Sequence, residues 1–411
     1  MQNFESEYIN FVQNPMKQSV LEKCHFAKDF SLDVVQKIQR FQRSHQNYEM
    51  TPLRQLGNLA TYLQVEDILV KDESYRFGLK AFKVLGGMYA IGKYLAKKLN
   101  HNIENLSFAH LTSTETKRTI GELTFITATA GNHGRGIAWA ARELGQTAVV
   151  YMPKNSSKLQ IQAIEQEGAR VEVINGTYDE TVQLAAKTAQ EKGWILLQDT
   201  SWENYEEIPY WIMQGYSTIG WEIVQQIKQS DIKRPTHIFL QAGVGSYAAG
   251  VAMFLTNYFQ EKCPKIVLVE PRSANCFYES FRVGHENYQT VSGQLNSMMA
   301  GLNCGVPNPK AWEILKEVAD GGISVADKVS ALGMRILGHP LAGDSRIIAG
   351  ESGAITMGVV YALMNGQSYE SLRKALSLDE TSTILLINTE GDTNPDRYRE
   401  IVWEGAYTLT D

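Results

Sequence analysis

Three lysines, Lys71, Lys80 and Lys83, fall within the stretch KDESYRFGLKAFK. A lysine attacks an aldehyde only as the free amine, and apolar neighbours or a nearby cation lower its pKa toward that form. Lys83 has such a setting. It follows Ala81-Phe82, precedes the apolar helix start Val84-Leu85-Gly86-Gly87, and has Lys80 as a cation close by in sequence. Schiff-base formation is one reading of this residue, and a solvated side chain at a helix start is the other. Lys71 follows the apolar run VEDILV and is expected at the polar end of a strand.

Two glycine turns offer binding chemistry. Thr127-Ala128-Thr129-Ala130-Gly131-Asn132-His133-Gly134 reads as strand, turn and helix start. Backbone amides there point at whatever sits above the helix, the threonine hydroxyls suit a carboxylate, and Asn132 suits a phenolic oxygen. A plain turn with an asparagine cap is the alternative. In QAGVGSYAAG, Gly243 and Gly245 flank Val244 and let the backbone approach a phosphate, and Ser246 adds a hydroxyl. The stretch lacks the Gly-Lys-Ser/Thr of a Walker A loop and a clear dinucleotide fingerprint, so it suits one phosphate, or is simply a structural turn. A late strand, LLINTEGD, ends in polar residues that include Thr389 and says little alone.

These turns need elements to hold them. From about Leu123 onward, short apolar segments alternate with helical ones. TFITATA, TAVVYMP, RVEVIN, WILLQD, HIFLQAG and KIVLVEP read as strands; 133–144, 156–167, 178–191 and 246–259 read as helices. Strands apolar on both faces between helices mean an α/β fold with open parallel sheets, where ligands bind beyond the carboxyl ends of strands. The 411 residues suffice for two domains. A net charge of −6 provides no basic face for nucleic acid or an acidic membrane. No apolar run reaches the ~18 residues of a membrane span. The polar start MQNFESEYINFVQN is unlike a signal peptide, so a cytoplasmic location is expected. Cys24, Cys263, Cys276 and Cys304 have no metal-ligand spacing and read as free thiols; whether Cys276 and Cys304 meet is left open.

Ala81-Phe82-Lys83, after Lys71-x-Glu73, resembles the Ser/Ala-Phe-Lys signature of fold-type II pyridoxal-phosphate enzymes, the group of tryptophan synthase β and threonine dehydratase. Gly131-Asn132-His133-Gly134 is similar to that group's asparagine loop, and Gly243–Tyr247 to its phosphate loop. The resemblance is closer still to the diaminopropionate ammonia-lyase family. RFGLKAFKVLGG, TATAGNHGRGIAWAA, QDTSW, IPYWIMQGY, QAGVGS, MMAGLNCGVPN, GESGA, TEGDTNPD and IVWEG resemble its segments in order, within Thr51 to Gly405.

The resemblance implies a two-domain α/β enzyme of fold type II with parallel or mixed sheets. A large cofactor domain would comprise 1–79 and 199–411, and a small one 80–198. It implies pyridoxal 5′-phosphate as a Schiff base on Lys83. Asn132 would meet the phenolic oxygen, Gly243, Val244, Gly245 and Ser246 the phosphate, and Thr389 the pyridine nitrogen, with Asn388 standing where serine is expected. Lys83, Asp199 and His133 form the implied catalytic set. Thr127, Thr129 and the turn at Ala130 would bind the substrate carboxylate. The implied reaction is α,β-elimination of 2,3-diaminopropionate to pyruvate and ammonia by a homodimer. Three positions depart from the family: Ala130 replaces aspartate, Lys80 asparagine and Val306 glutamate. The first removes an acid/base and implies preference for the L-isomer. A serine/threonine dehydratase-like enzyme, another β-lyase or β-replacement enzyme, and a cofactor-binding protein without turnover are the alternatives.

Overall fold

A computed structural model describes residues 3–17, 24 and 26–409. Its strands are β1 (Asn3–Phe4), β2 (Ile9–Gln13), β3 (Leu53–Gln55), β4 (Asp67–Asp72), β5 (Thr124–Ala128), β6 (Thr147–Pro153), β7 (Arg170–Ile174), β8 (Ile195–Leu196), β9 (His237–Gln241), β10 (Lys265–Pro271), β11 (Gly321–Val325) and β12 (Thr383–Asn388). The chain divides into two compact units. One comprises Met1–Ser31, Thr51–Tyr75 and Ile219–Asp411, the other Leu32–Met50 and Arg76–Thr218.

The larger unit is built on a sheet ordered β1-β2-β11-β10-β9-β12-β4-β3. Its five central strands, β11 to β4 in that order, are parallel. The edge pairings β1–β2, β2–β11 and β3–β4 are antiparallel, so the sheet is mixed. Strands β9, β11 and β12 are buried throughout, and β10 is buried beyond its first residue, Lys265, as parallel strands covered on both faces must be. Helices Asp327–Gly338 and Glu351–Asn365 cover one face at backbone contact: a Cβ on Gly358 would overlap the Val329 carbonyl oxygen.

The smaller unit has four parallel strands in the order β7-β6-β5-β8. Strand β8 is shorter than the expected WILLQD because only Ile195 and Leu196 join the ladder. Beyond them the Gln198 side chain takes over, accepting from the Ala128 amide and donating to the Ala128 carbonyl, both at 3.1 Å. The helix Leu32–Arg43 also belongs to this unit, whereas the sequence expectation put it in the larger domain. Gln42 on it donates to the carbonyls of Leu85 and Gly215 at 3.1 and 3.0 Å.

In each sheet the chain order reverses beside one central strand. In the larger unit, β9 lies between β10 and β12; in the smaller, β5 lies between β6 and β8. Such switch points open crevices at the carboxyl ends of the strands. The two singled-out turns, Gly243–Ser246 after β9 and Thr129–Asn132 after β5, occupy those positions.

Candidate active site

In the smaller unit, Lys83 stands immediately before the helix Val84–Lys98, whose first turn is buried. Its backbone is fixed by close packing. A Cβ on Gly136 would lie 2.8 Å from the Val84 nitrogen and 3.1 Å from the Lys83 carbonyl carbon, so only glycine lets the helix Asn132–Glu143 approach there. Phe82 is buried edge-on against Tyr216, with ring centroids 4.9 Å apart. The Lys83 Nζ donates to Asp199 Oδ2 at 2.6 Å.

His133 completes this group. Its Nε2 lies 2.9 Å from the Leu197 carbonyl, which can only accept, so Nε2 carries the hydrogen. Its Nδ1 is 3.7 Å from Asp199 Oδ2. Burial pushes the imidazole pKa down, against the pull of Asp199. Burial alone would raise the Asp199 carboxyl. The charges of His133 and Lys83 and the Lys83 hydrogen bond outweigh it and hold the group far below the usual carboxylate range. The structure thus assembles a buried carboxylate, held in its ionised form by its neighbours, beside the half-buried lysine amine.

The threonines diverge. Thr129 Oγ1 accepts from the amides of Gly131 and Gly134 at 2.9 and 3.2 Å, which shapes the turn and leaves its hydrogen to donate. Thr127 is fully buried, and its hydroxyl donates to Gln198 Oε1 at 3.1 Å, inside the strand layer and away from any ligand position above the turn. Asn132 is the first residue of its helix, and Ala130 is half-buried in the turn.

In the larger unit, Gly245 adopts φ +89°, and a Cβ on it would overlap the Phe277 ring. A Cβ on Gly243 would come within 3.1 Å of the Gly301 oxygen and 3.3 Å of Cys304 Sγ. The loop is therefore a bare backbone cradle at the N-terminus of the helix Ser246–Phe259, the geometry that receives an anion. Asn308 braces it: its amide donates to the Val244 oxygen at 2.8 Å and its Nδ2 to Ser246 Oγ at 3.0 Å. Beside the cradle, Gln241 Nε2 donates to Thr389 Oγ1 at 3.1 Å. Ser352 Oγ and Gln241 Oε1 are buried without a partner among the described residues.

Gln198, Gln241 and Asn308 were not singled out from sequence, although each lies within a quoted segment. Their shared signal is a polar residue at the end of an apolar strand or beside a glycine turn. Lys71 stands near the end of β4, as expected, and is fully buried there: it pairs with Glu222 at 2.6 Å and donates to the Thr51 oxygen at 2.7 Å. Lys80 adopts φ +57°, and Val306 is exposed. All four cysteines are free thiols.

Comparison with known proteins matches residues 45–390 to the pyridoxal-phosphate dependent enzyme family. The chain is 49% identical over 366 residues to a diaminopropionate ammonia-lyase of Salmonella typhimurium, covering 89% of this chain and 91% of that one. The crystal structure of Escherichia coli diaminopropionate ammonia lyase in complex with D-serine is similar at a TM-score of 0.90 and 44% identity, covering 98% of both chains. The same enzyme in complex with an aminoacrylate-PLP azomethine reaction intermediate gives a TM-score of 0.89 at 43% identity, with full coverage of both.

Proposed function

The chain belongs to the diaminopropionate ammonia-lyase family of pyridoxal-phosphate dependent enzymes, and on that premise we propose that it eliminates ammonia from 2,3-diaminopropionate, with preference for the L-isomer. The Cα–H and Cβ–N bonds break, one ammonia leaves, and the resulting 2-aminoacrylate takes up water to give pyruvate and a second ammonia. Pyridoxal phosphate supplies the electron sink for the pair released from Cα–H.

The residues fit that cofactor. Packing against Phe277, Gly301 and Cys304 keeps Gly243 and Gly245 free of side chains, so the loop offers bare backbone at the helix N-terminus; Ser246 adds a hydroxyl for the phosphate, and the Thr389 hydroxyl offers a donor to a ring nitrogen. Lys83 is the amine for the aldehyde, and Asn132 the donor for the phenolic oxygen.

Lys83 Nζ takes the proton from Cα of the L-isomer. The observation that carries this is the 2.6 Å contact with Asp199, which stays ionised and steadies the ammonium that forms. His133, hydrogen-bonded through Nε2 to the Leu197 oxygen, lies against the carboxylate with its Nδ1 3.7 Å from Asp199 Oδ2. The substrate carboxylate is held by the Thr129 hydroxyl and the first amides of the helix Asn132–Glu143. Thr127 is left out of this role, since its hydroxyl is engaged by Gln198. Ala130 has no proton to give or take, so the face of Cα that it borders lacks an acid/base. The enzyme is read as a homodimer by the resemblance, and a monomer mass by light scattering at micromolar concentration would contradict the pairing.

The test is release of ammonia and pyruvate (2-oxobutyrate for threonine) from L- and D-diaminopropionate, serine and threonine, assayed side by side. L-diaminopropionate is expected to be the best substrate. Faster turnover of serine or threonine would assign a dehydratase, and no turnover of any of them would remove the lyase reading.

A further inference from the structure

We propose that Gln241 is a positioning residue that fixes the direction of the Thr389 hydroxyl, so that the site presents a hydrogen-bond donor to the ring nitrogen of the cofactor. The inference rests on the reading of Thr389 as the residue that meets that nitrogen.

Gln241 is the last residue of β9 and is buried. Its Nε2 has three acceptors: the Ser352 oxygen at 3.0 Å, the Ile387 oxygen at 3.0 Å and Thr389 Oγ1 at 3.1 Å. Two of these are backbone carbonyls, which only accept. Turning the amide over would set Oε1 against both of them, so its orientation is forced by the backbone. Gln241 Oε1 meanwhile has no donor among the described residues, so the side chain acts here through its nitrogen.

A threonine hydroxyl has one hydrogen. With Nε2 directed at Thr389 Oγ1, the oxygen is engaged as an acceptor, and the hydrogen has no acceptor among the described residues. Thr389 is 4% exposed, so water is a poor substitute. A neutral pyridine nitrogen is an acceptor and meets that hydrogen. A pyridinium N–H is a donor and would leave the hydroxyl hydrogen unbonded in a dry site, which is unfavourable. Gln241 thereby biases the ring toward its unprotonated form without touching it.

The probe is holoenzyme reconstituted with pyridoxal phosphate carrying ¹⁵N in the ring, read by NMR, together with the cofactor dissociation constant. Wild type is expected to give the shift of an unprotonated, hydrogen-bonded nitrogen, steady through neutral pH; a pyridinium shift there overturns the proposal. In Q241M, which keeps the volume and removes the donor, the signal should move toward that of T389V, with cofactor binding weakened about tenfold. If Q241M does not fold, Q241E, which preserves the shape, is read in the same way. A moved signal in T389V with an unmoved one in the Gln241 variant defeats the role of Gln241 alone. An unmoved signal in T389V defeats the reading of Thr389 on which the proposal stands.

Discussion

Lys80 lies at φ +57°, a region that costs most side chains about 1 kcal/mol and that asparagine tolerates better. Lys80→Asn should therefore raise the unfolding free energy by about 0.5–1 kcal/mol, seen as a higher urea midpoint at unchanged slope. A lower midpoint would mean that contacts of the lysine side chain outweigh the strain. Ala130 has the opposite character: relaxed, but chemically inert. Ala130→Asp adds an acid/base to the turn while leaving Lys83 and Asp199 untouched. It should raise turnover of D-diaminopropionate by about 10²-fold or more and that of the L-isomer far less. Efficient D-elimination by the unaltered enzyme would show that another group handles that proton. That Lys83, Asp199 and His133 come together was legible because segments of fixed order surround them. Thr127 and Thr129 were read together, as hydroxyl donors suited to a carboxylate. Strand β5 ends at Ala128, so Thr129 belongs to the turn and the two hydroxyls part. The burial of Lys71 left no local signal, because its partner, Glu222, is 151 residues away in sequence.

The packing of helix Asn132–Glu143 on the start of helix Val84–Lys98 fixes where the Lys83 amine begins. Gly136→Ala puts a methyl into that contact and should cost about 1–3 kcal/mol. Cofactor occupancy per protomer should fall with it, measured by absorbance after gel filtration; full occupancy would mean that the helices separate without moving the lysine. A second element is tuned by pH. Glu270, at the end of β10, accepts from the amides of Phe277 and Tyr278 at 2.9 and 2.7 Å and so anchors the helix that carries the Phe277 ring under Gly245. Burial nevertheless pushes its carboxyl from 4.5 up to about 8. The folded state then holds a proton that the unfolded state releases, so this contribution is complete below pH 4.5 and is lost as pH rises through about 8. Stability should decline across that window, and Glu270→Gln should flatten the decline in urea midpoints measured at several pH values. An identical slope in the variant would assign the effect elsewhere. Element boundaries were legible where apolar runs are bounded by glycine or by a helix start, as for helix Ser246–Phe259 and strand Lys265–Pro271. Strand β8 was read too long because WILLQD is apolar enough to continue, and nothing local announces that a glutamine side chain replaces the ladder.

Alternating segments after Leu123 made the α/β class and both glycine turns visible, but the first 60 residues have no such rhythm. They supply the antiparallel edge strands β1, β2 and β3 and the helix Leu32–Arg43; β2 pairs with β11 and the helix reaches Gly215, both far along the chain. Register across such distances is set by packing and leaves no local pattern. The account as a whole turns on one amine. Reduction of the holoenzyme with borohydride, followed by peptide mass mapping, reads directly which lysine bears the cofactor. The adduct is predicted on Lys83, with Lys83→Ala losing both the adduct and the visible absorbance near neutral pH. An adduct on Lys80 or Lys71 would contradict the account.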